Sequence, residues 1–145
     1  MGEAPETDIA GLISSHVRDV PDYPQPGVLF KDITPLLAAP VAYRNGAGFV
    51  PVRKQGKLPS GTFAQEYKLE YGTATLEVHQ DAFEPGDRVL IVDDVLATGG
   101  TARATASLVR QCGADVAGIS VLMELSFLSG RSVLDGLDVR ALLTV

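Results

Sequence analysis

The chain has 145 residues, 46% of them hydrophobic, and a formal net charge of −6 with a pI near 4.8. This length and apolar content predict one globular domain, and the acidic balance argues against nucleic acid as a partner, because nucleic-acid binders need a basic face. The sequence has no apolar run of about 18 residues and no signal-like start, so we expect a cytoplasmic protein without a membrane partner.

Cysteine and histidine are scarce in this chain. Cys112 is the only cysteine, so no internal disulfide can form, and it precedes Gly113, where a helix is expected to end. We expect Cys112 to be packed rather than reactive. His16 and His79 are too few and too far apart in sequence to indicate a metal site.

The N-terminal part predicts one helix and one rigid turn. Asp8 can cap a helix that runs to Val17 with apolar residues on one face. Residues 22–37 follow as an apolar segment in which Pro24 and Pro26 favour a rigid turn and Phe30 is a candidate core residue.

A strand that ends in three cations is predicted next. It begins at Phe49, and Arg53, Lys54 and Lys57 follow on what Gly56 indicates is a loop. Three cations spaced in this way can neutralise a pyrophosphate. A merely solvated basic edge is the alternative, and the residues taken by themselves favour it.

Residues 74–79 show the alternation of a half-exposed strand. The apolar members are Ala74, Leu76 and Val78, and the polar members are Thr75, Glu77 and His79. Shortly before this strand stands Glu70, which without further information is one more surface carboxylate.

Chemistry is most concentrated between residues 89 and 105. Val89 to Val92 is a short apolar run without alternation, as in a strand that is buried on both faces of a parallel sheet. Asp93 and Asp94 follow at its C-terminal end, where open α/β sheets bind ligands. The small-residue loop from Ala97 to Thr101 then leads into a predicted helix, Ala102 to Gln111.

This loop suits a phosphate, whereas the two carboxylates suit a sugar. Gly99 and Gly100 allow backbone N–H groups to approach a ligand, Thr98 and Thr101 add hydroxyl donors, and the helix dipole favours an anion. The carboxylates can accept hydrogen bonds from ribose hydroxyls or help to hold Mg²⁺. The P-loop lysine and the G-x-G-x-x-G pattern are both absent.

A second buried strand is predicted from Val116 to Met123. Together with the first strand and the intervening helix it forms a βαβ unit, which is expected to be right-handed.

The segment from Asp93 to Thr101 resembles the signature of the type I phosphoribosyltransferases, which bind phosphoribosyl pyrophosphate (PRPP), and in particular the adenine-specific members. Residues 22–37 resemble the hood that covers the base in that family, and Glu70-Tyr71-Gly72 matches the tip of its mobile hairpin. The resemblance implies an α/β fold: a parallel sheet with flanking helices, an N-terminal hood and a flexible β-hairpin. It also implies a single domain over residues 1–145, with the hood at about 1–40 and the core at about 41–145.

The resemblance implies a role for each candidate residue. Asp93 and Asp94 would hold the ribose, and Ala97, Thr98, Gly99, Gly100 and Thr101 would bind the 5′-phosphate. Arg53, Lys54 and Lys57 would face pyrophosphate, while Leu29, Phe30 and Leu125 would contact adenine. Glu70 would act as the acid/base at the purine, and Tyr71 would help to exclude water.

One stretch of the family pattern is missing. The family normally carries some tens of residues between the hood and the strand that begins Gly-Ala-Gly-Phe-Val-Pro, including a central strand and an Arg-Gly-Phe loop that grips pyrophosphate. Here Pro40 and Val41 run almost directly into that strand, and no Arg-Gly-Phe triplet occurs. Loss of a central strand either forces its neighbours to pair differently or leaves an unpaired apolar edge.

The activity implied by the resemblance is purine salvage, in which adenine and PRPP give AMP and pyrophosphate. Mg²⁺ would be carried by PRPP and would lie near Asp93 and Asp94, with no direct ligand from the protein. A homodimer is expected because family members are commonly dimers. Two alternatives stay open: a phosphoribosyltransferase for another base, and a shortened, catalytically dead copy that only binds nucleotide.

Overall fold

A computed structural model describes residues 18–21, 29–32, 34–59, 61–68 and 72–145. The chain divides into two compact units, Met1–Phe49 and Val50–Val145. The helix predicted from Asp8 to Val17 lies outside the described residues. None of the helices in the described ranges is long and apolar enough to cross a membrane.

The first unit contains a short antiparallel pair and a helix. Strand β1 (Arg18–Pro21) pairs with β2 (Leu29–Asp32), so that Pro21 stands opposite Leu29. Helix α1 (Thr34–Arg44) follows and carries Pro40 in its interior. The helix continues through Pro40 and Val41 even though proline removes one backbone hydrogen bond there. The place where the family pattern is interrupted therefore falls inside a continuous helix.

The second unit begins with an antiparallel sheet in the order β3-β5-β4. Its strands are β3 (Arg53–Lys54), β4 (Thr62–Lys68) and β5 (Thr73–His79), and β4 and β5 form a hairpin. The predicted strand from Phe49 is thus reduced to two residues. Within the described ranges residues 49–52 belong to no strand, and β3 consists of Arg53 and Lys54 alone.

The predicted alternation along β5 is wrong at one position. Leu76, Glu77 and Val78 are all buried, with exposed fractions of 6%, 8% and 0%. The physical reason is the turn after β3, where the Gly56 N–H donates to Glu77 Oε2 at 3.0 Å. This hydrogen bond compensates the burial of the carboxylate on the face that the sequence pattern assigned to solvent.

A parallel sheet completes the second unit. Strands β6 (Arg88–Leu96), β7 (Asp115–Glu124) and β8 (Val139–Thr144) lie in the order β6-β7-β8, and both pairings are parallel. Helix α2 (Gly100–Gln111) connects β6 to β7. The prediction of an α/β fold with a parallel sheet and a flanking helix is confirmed. Two 3₁₀ turns, Ser126–Leu128 and Gly130–Val133, lie between β7 and β8.

Helix α2 packs against both sheets through small residues. Ala102 and Ala106 belong to the core cluster that contains Ile91, Ile119 and Val121 of the parallel sheet. Ala104 and Leu108 instead join the cluster that contains Leu76 and Val78 of the hairpin. One helix therefore holds the two sheets together, because in the described part of the chain no strand pairing joins them.

Strand β6 is buried only in parts, which corrects the prediction of a strand buried on both faces. Ile91 is 7% exposed, whereas its neighbour Leu90 is 50% exposed. Among the described strands β6 pairs with β7 alone, so its other edge is the edge of the sheet. An apolar strand at a sheet edge is the consequence expected from a missing central strand.

Cys112 lies at the C-terminal end of α2, as predicted, and Gly113 follows with φ +82°. The Cys112 side chain packs against the cluster of Leu76 and Val78, and Cys112 Sγ lies 3.9 Å from the His79 carbonyl oxygen. Burial raises the pKa of the Cys112 thiol, so the reactive thiolate is disfavoured.

Candidate active site

The two candidate ribose-binding carboxylates lie near the C-terminal end of β6. The strand continues to Leu96, so Asp93 and Asp94 are part of it rather than residues beyond its end. Successive side chains of a strand point to opposite faces, so the pair does not converge on one point. No group of three or more histidine, cysteine, aspartate or glutamate side chains that could hold a metal ion occurs among the described residues.

Each of these carboxylates is oriented by the backbone of the following residue. Asp93 Oδ1 accepts a hydrogen bond from the Asp94 N–H at 3.0 Å, and Asp94 Oδ1 accepts one from the Val95 N–H at 2.7 Å. Both side chains are half-buried. In Asp94 the hydrogen bond from the Val95 N–H engages Oδ1, so Asp94 Oδ2 can accept a hydroxyl of a ligand.

The loop after β6 has the form of an anion site. Gly99 caps α2 with φ +81°, a left-handed conformation that favours glycine, and no side chain caps this helix end. Helix N–H groups at such an end have no intrahelical acceptor, so they and the helix dipole attract an anion. Gly100 and Thr101 already belong to the first turn of α2, which begins two residues earlier than predicted. Thr98 and Thr101 are exposed.

Gly130, in the connection between β7 and β8, lies directly against this loop. An atom at the Cβ position of Gly130 would overlap the Ala97 carbonyl oxygen and would lie 3.0 Å from Gly99 N. A Cβ on Gly99 would overlap the Gly130 carbonyl oxygen and would lie 2.6 Å from Val133 Cγ2. The two backbones therefore touch at a point where neither residue can carry a side chain.

The end of the hairpin lies beside the same loop. A Cβ on Gly100 would lie 3.0 Å from the Lys68 carbonyl oxygen and 3.2 Å from Tyr67 Cδ2. Lys68 is the last residue of β4 and stands opposite Thr73. Glu70 and Tyr71 come between these two strands in the sequence and lie outside the described residues.

The three candidate pyrophosphate-binding cations lie together on the β3 side of the hairpin sheet. Arg53 is half-buried and stands opposite Glu77 of β5, while Lys54 is exposed. Lys57 is also exposed, and its N–H donates to the Lys54 carbonyl oxygen at 3.3 Å. The turn thus groups the three residues as the sequence predicted.

The candidate base-contacting residues are divided between the two units. Leu29 and Phe30 lie in β2 of the first unit. Leu125, in the second unit, directly follows β7, is half-buried, and donates its N–H to the Leu96 carbonyl oxygen at 2.9 Å. Leu125 is therefore hydrogen-bonded to the end of β6, the strand that carries Asp93 and Asp94.

Comparisons with known proteins identify the family of this chain. A family model described as "Phosphoribosyl transferase domain" matches residues 36–140. The adenine phosphoribosyltransferase of Thermobifida fusca is 53% identical over 174 residues, which include 96% of this chain and 99% of the relative. The crystal structure of adenine phosphoribosyltransferase from Rhodothermus marinus has a TM-score of 0.75 and 43% identity, covering 93% of this chain and 97% of that one.

The alignment with the Thermobifida fusca relative contains positions that this chain lacks. It extends over 174 positions, whereas this chain has 145 residues, so at least 29 positions (174 less 145) have no counterpart here. A relative from Acidothermus cellulolyticus, 52% identical over 176 residues, covers 97% of this chain and 99% of its own length. The chain therefore belongs to the phosphoribosyltransferase family, among relatives of the adenine phosphoribosyltransferases, and lacks an internal segment that those relatives contain.

Proposed function

We propose that this chain transfers the phosphoribosyl group of PRPP to adenine, giving AMP and pyrophosphate, in purine salvage. The observation that carries the proposal is the unit formed by β6, the glycine loop and α2. It places two oriented carboxylates directly before an uncapped helix end. The adenine phosphoribosyltransferases to which the chain is similar support adenine as the base.

Asp93 and Asp94 bind the ribose in this mechanism. Carboxylates accept hydrogen bonds from the sugar hydroxyls, and their negative charge stabilises the positive charge that develops at the anomeric carbon as pyrophosphate leaves. The N–H groups from Thr98 to Thr101 and the two threonine hydroxyls bind the 5′-phosphate. The reacting carbon is thereby fixed between the sugar-binding and phosphate-binding halves of the site.

On the base side, we assign adenine contacts to Leu29, Phe30 and Leu125. Glu70 moves or shares the proton that adenine must rearrange when its ring nitrogen becomes the glycosyl acceptor. Tyr71 covers the reacting centre and limits hydrolysis of PRPP by water. Support for these roles comes from the hairpin, whose last β4 residue, Lys68, lies against Gly100 of the phosphate loop.

On the pyrophosphate side, Arg53, Lys54 and Lys57 neutralise the leaving group, while the loop that should assist them falls in the missing segment. Removing one such stabilising group costs ~10²-fold or more in rate. We therefore expect the turnover number to lie at least ~10²-fold below that of a full-length relative.

Phosphoribosyltransferases generally use Mg²⁺ with PRPP. The residues here fit a cation that arrives with its substrate, because two half-buried carboxylates on opposite strand faces offer hard oxygen ligands but no complete cage. One of the two, Asp93 or Asp94, would lie near such an ion at the ribose, and the ion would neutralise charge on the pyrophosphate. A homodimer and a cytoplasmic location are also part of the proposal.

The direct test is an assay with PRPP, Mg²⁺ and one base at a time. We expect adenine to give AMP and pyrophosphate in equal amounts, with little product from hypoxanthine, guanine or orotate. Product from another base in preference to adenine would replace the proposed substrate.

A second candidate function is nucleotide binding without turnover. At least 29 positions of the relatives are missing, and within the described residues β6 has no strand partner on one edge. In the same assay this candidate predicts no AMP formation by a folded protein that binds AMP.

The role of Glu70 is tested by Glu70→Gln, which keeps the size of the side chain and removes its proton chemistry. We expect the turnover number to fall ~10²- to 10⁴-fold while the free energy of unfolding and AMP affinity change little. Glu66→Gln is the matched control, because Glu66 lies exposed on β4 of the same hairpin. Equal turnover of Glu70→Gln and the unaltered chain would remove Glu70 from this role.

A further inference from the structure

An ion pair between buried Glu124 and exposed Arg131 connects the end of β7 to the chain that follows it. Glu124 is 6% exposed, and its carboxylate accepts hydrogen bonds from Arg131 Nε to Oε1 and from Nη2 to Oε2, each at 2.8 Å. Arg131 Nη1 also donates to the Val139 carbonyl oxygen at 2.6 Å. The hydrogen bond to Glu124 is the main cause that raises the pKa of Arg131. The guanidinium therefore ties the end of β7 to the start of β8.

The segment between Glu124 and Arg131 contacts the phosphate loop, which is the loop from Ala97 to Thr101 after β6. Gly130 is the residue before Arg131, and its backbone lies against Ala97 and Gly99 so closely that no Cβ fits between them. Val133, two residues after Arg131, lies next to the space where a Gly99 Cβ would be. We therefore expect a displacement of Arg131 to move Gly130 relative to the backbone of Ala97 and Gly99.

We propose that Arg131 and Glu124 are positioning residues for the phosphate loop, acting through Gly130. The inference rests on the proposed function insofar as the loop binds the 5′-phosphate of a ribose phosphate. Backbone donors bind an anion well only when they are held close to the productive geometry, and a displacement of about 1 Å can cost ~10²-fold. A bidentate guanidinium-carboxylate pair fixes both distance and orientation, which a single ammonium cannot do.

The test is a calorimetric titration of the full chain and its variants with ribose 5-phosphate, well below the unfolding temperature of each protein. We expect Arg131→Gln to weaken the affinity at least ~10-fold, and Arg131→Lys to fall between it and the unaltered chain. Arg140→Gln is the matched control: Arg140 makes an exposed pair with Asp138, with 80% and 61% of the side chains exposed, and should bind as the unaltered chain does.

A second variant tests the same contact if Arg131→Gln does not fold. Gly130→Ala places a methyl group against Ala97 and should weaken ribose 5-phosphate binding, whereas Gly48→Ala, with nothing within 4 Å of its Cβ, should not. Unchanged affinity in folded Arg131→Gln or folded Gly130→Ala would overturn the positioning role, as would a lack of binding by the unaltered chain. Ribose 5-phosphate binding that depends on Arg131, without AMP formation, would overturn the proposed function and support the positioning role.

Discussion

Replacing Gly99 by alanine should abolish measurable ribose 5-phosphate binding and lower the free energy of unfolding. Two costs combine at this position. A left-handed backbone at φ +81° costs a residue with a Cβ about 1–2 kcal/mol. The new methyl group also overlaps the Gly130 carbonyl oxygen and lies 2.6 Å from Val133 Cγ2, and overpacking of this kind typically costs about 1–3 kcal/mol.

Binding is lost because the loop must move to relieve the overlap of the new methyl group with Gly130. The loop can accommodate a methyl group only if Ala97 to Gly99 moves away from Gly130, and that movement displaces the N–H groups at the start of α2. Chemical denaturation and calorimetric titration with ribose 5-phosphate measure the two effects separately.

Gly136 offers a closely matched control for this substitution. It has φ +80°, almost the same as Gly99, but nothing lies within 4 Å of its Cβ position. Gly136→Ala should therefore show the backbone cost without loss of binding. Gly99→Ala that binds ribose 5-phosphate as Gly136→Ala does would contradict the close contact between Gly99 and Gly130.

Asp94→Asn should weaken ribose 5-phosphate while leaving the affinity for inorganic phosphate unchanged or slightly higher. Hydrogen bonds to a charged group contribute about 1.5–3 kcal/mol, which corresponds to roughly 10- to 150-fold in affinity. Asparagine still accepts the Val95 N–H through its amide oxygen, so the local backbone is preserved. Removing the negative charge can only reduce repulsion of a nearby phosphate.

The opposite behaviour of the two ligands is what identifies Asp94 as a sugar contact. Asp93→Asn should behave in the same way, and Asp135→Asn, at an exposed turn residue, should bind both ligands as the unaltered chain does. Equal weakening of ribose 5-phosphate and inorganic phosphate by Asp94→Asn would indicate a distorted loop and would contradict the assignment.

The part of the site that is local in sequence could be predicted from the sequence. From β6 through the glycine loop to α2, each residue is placed by its neighbours: apolar branched residues form the strand, and glycines permit the turn. The structure differs from the prediction in two element ends, with β6 continuing to Leu96 and α2 beginning at Gly100, and in the exposure of Leu90.

Features that depend on distant residues could not be predicted in this way. Gly130 lies against Ala97 and Gly99 because the chain after β7 folds back, and no periodic pattern signals such a contact. Burial of Glu77 has the same origin, since its hydrogen-bond donor, Gly56, belongs to another strand connection. The two-residue length of β3 likewise depends on which strands are available as neighbours, and the local sequence does not encode that.

We expect the ribose-phosphate half of the site to be intact although an internal segment is missing. A calorimetric titration of the purified chain with AMP, beside the Thermobifida fusca relative that is 53% identical, tests this expectation. We expect one AMP per chain, with a Kd within about tenfold of the relative's, which corresponds to a difference of at most about 1.4 kcal/mol. A folded chain that binds no AMP would contradict this expectation.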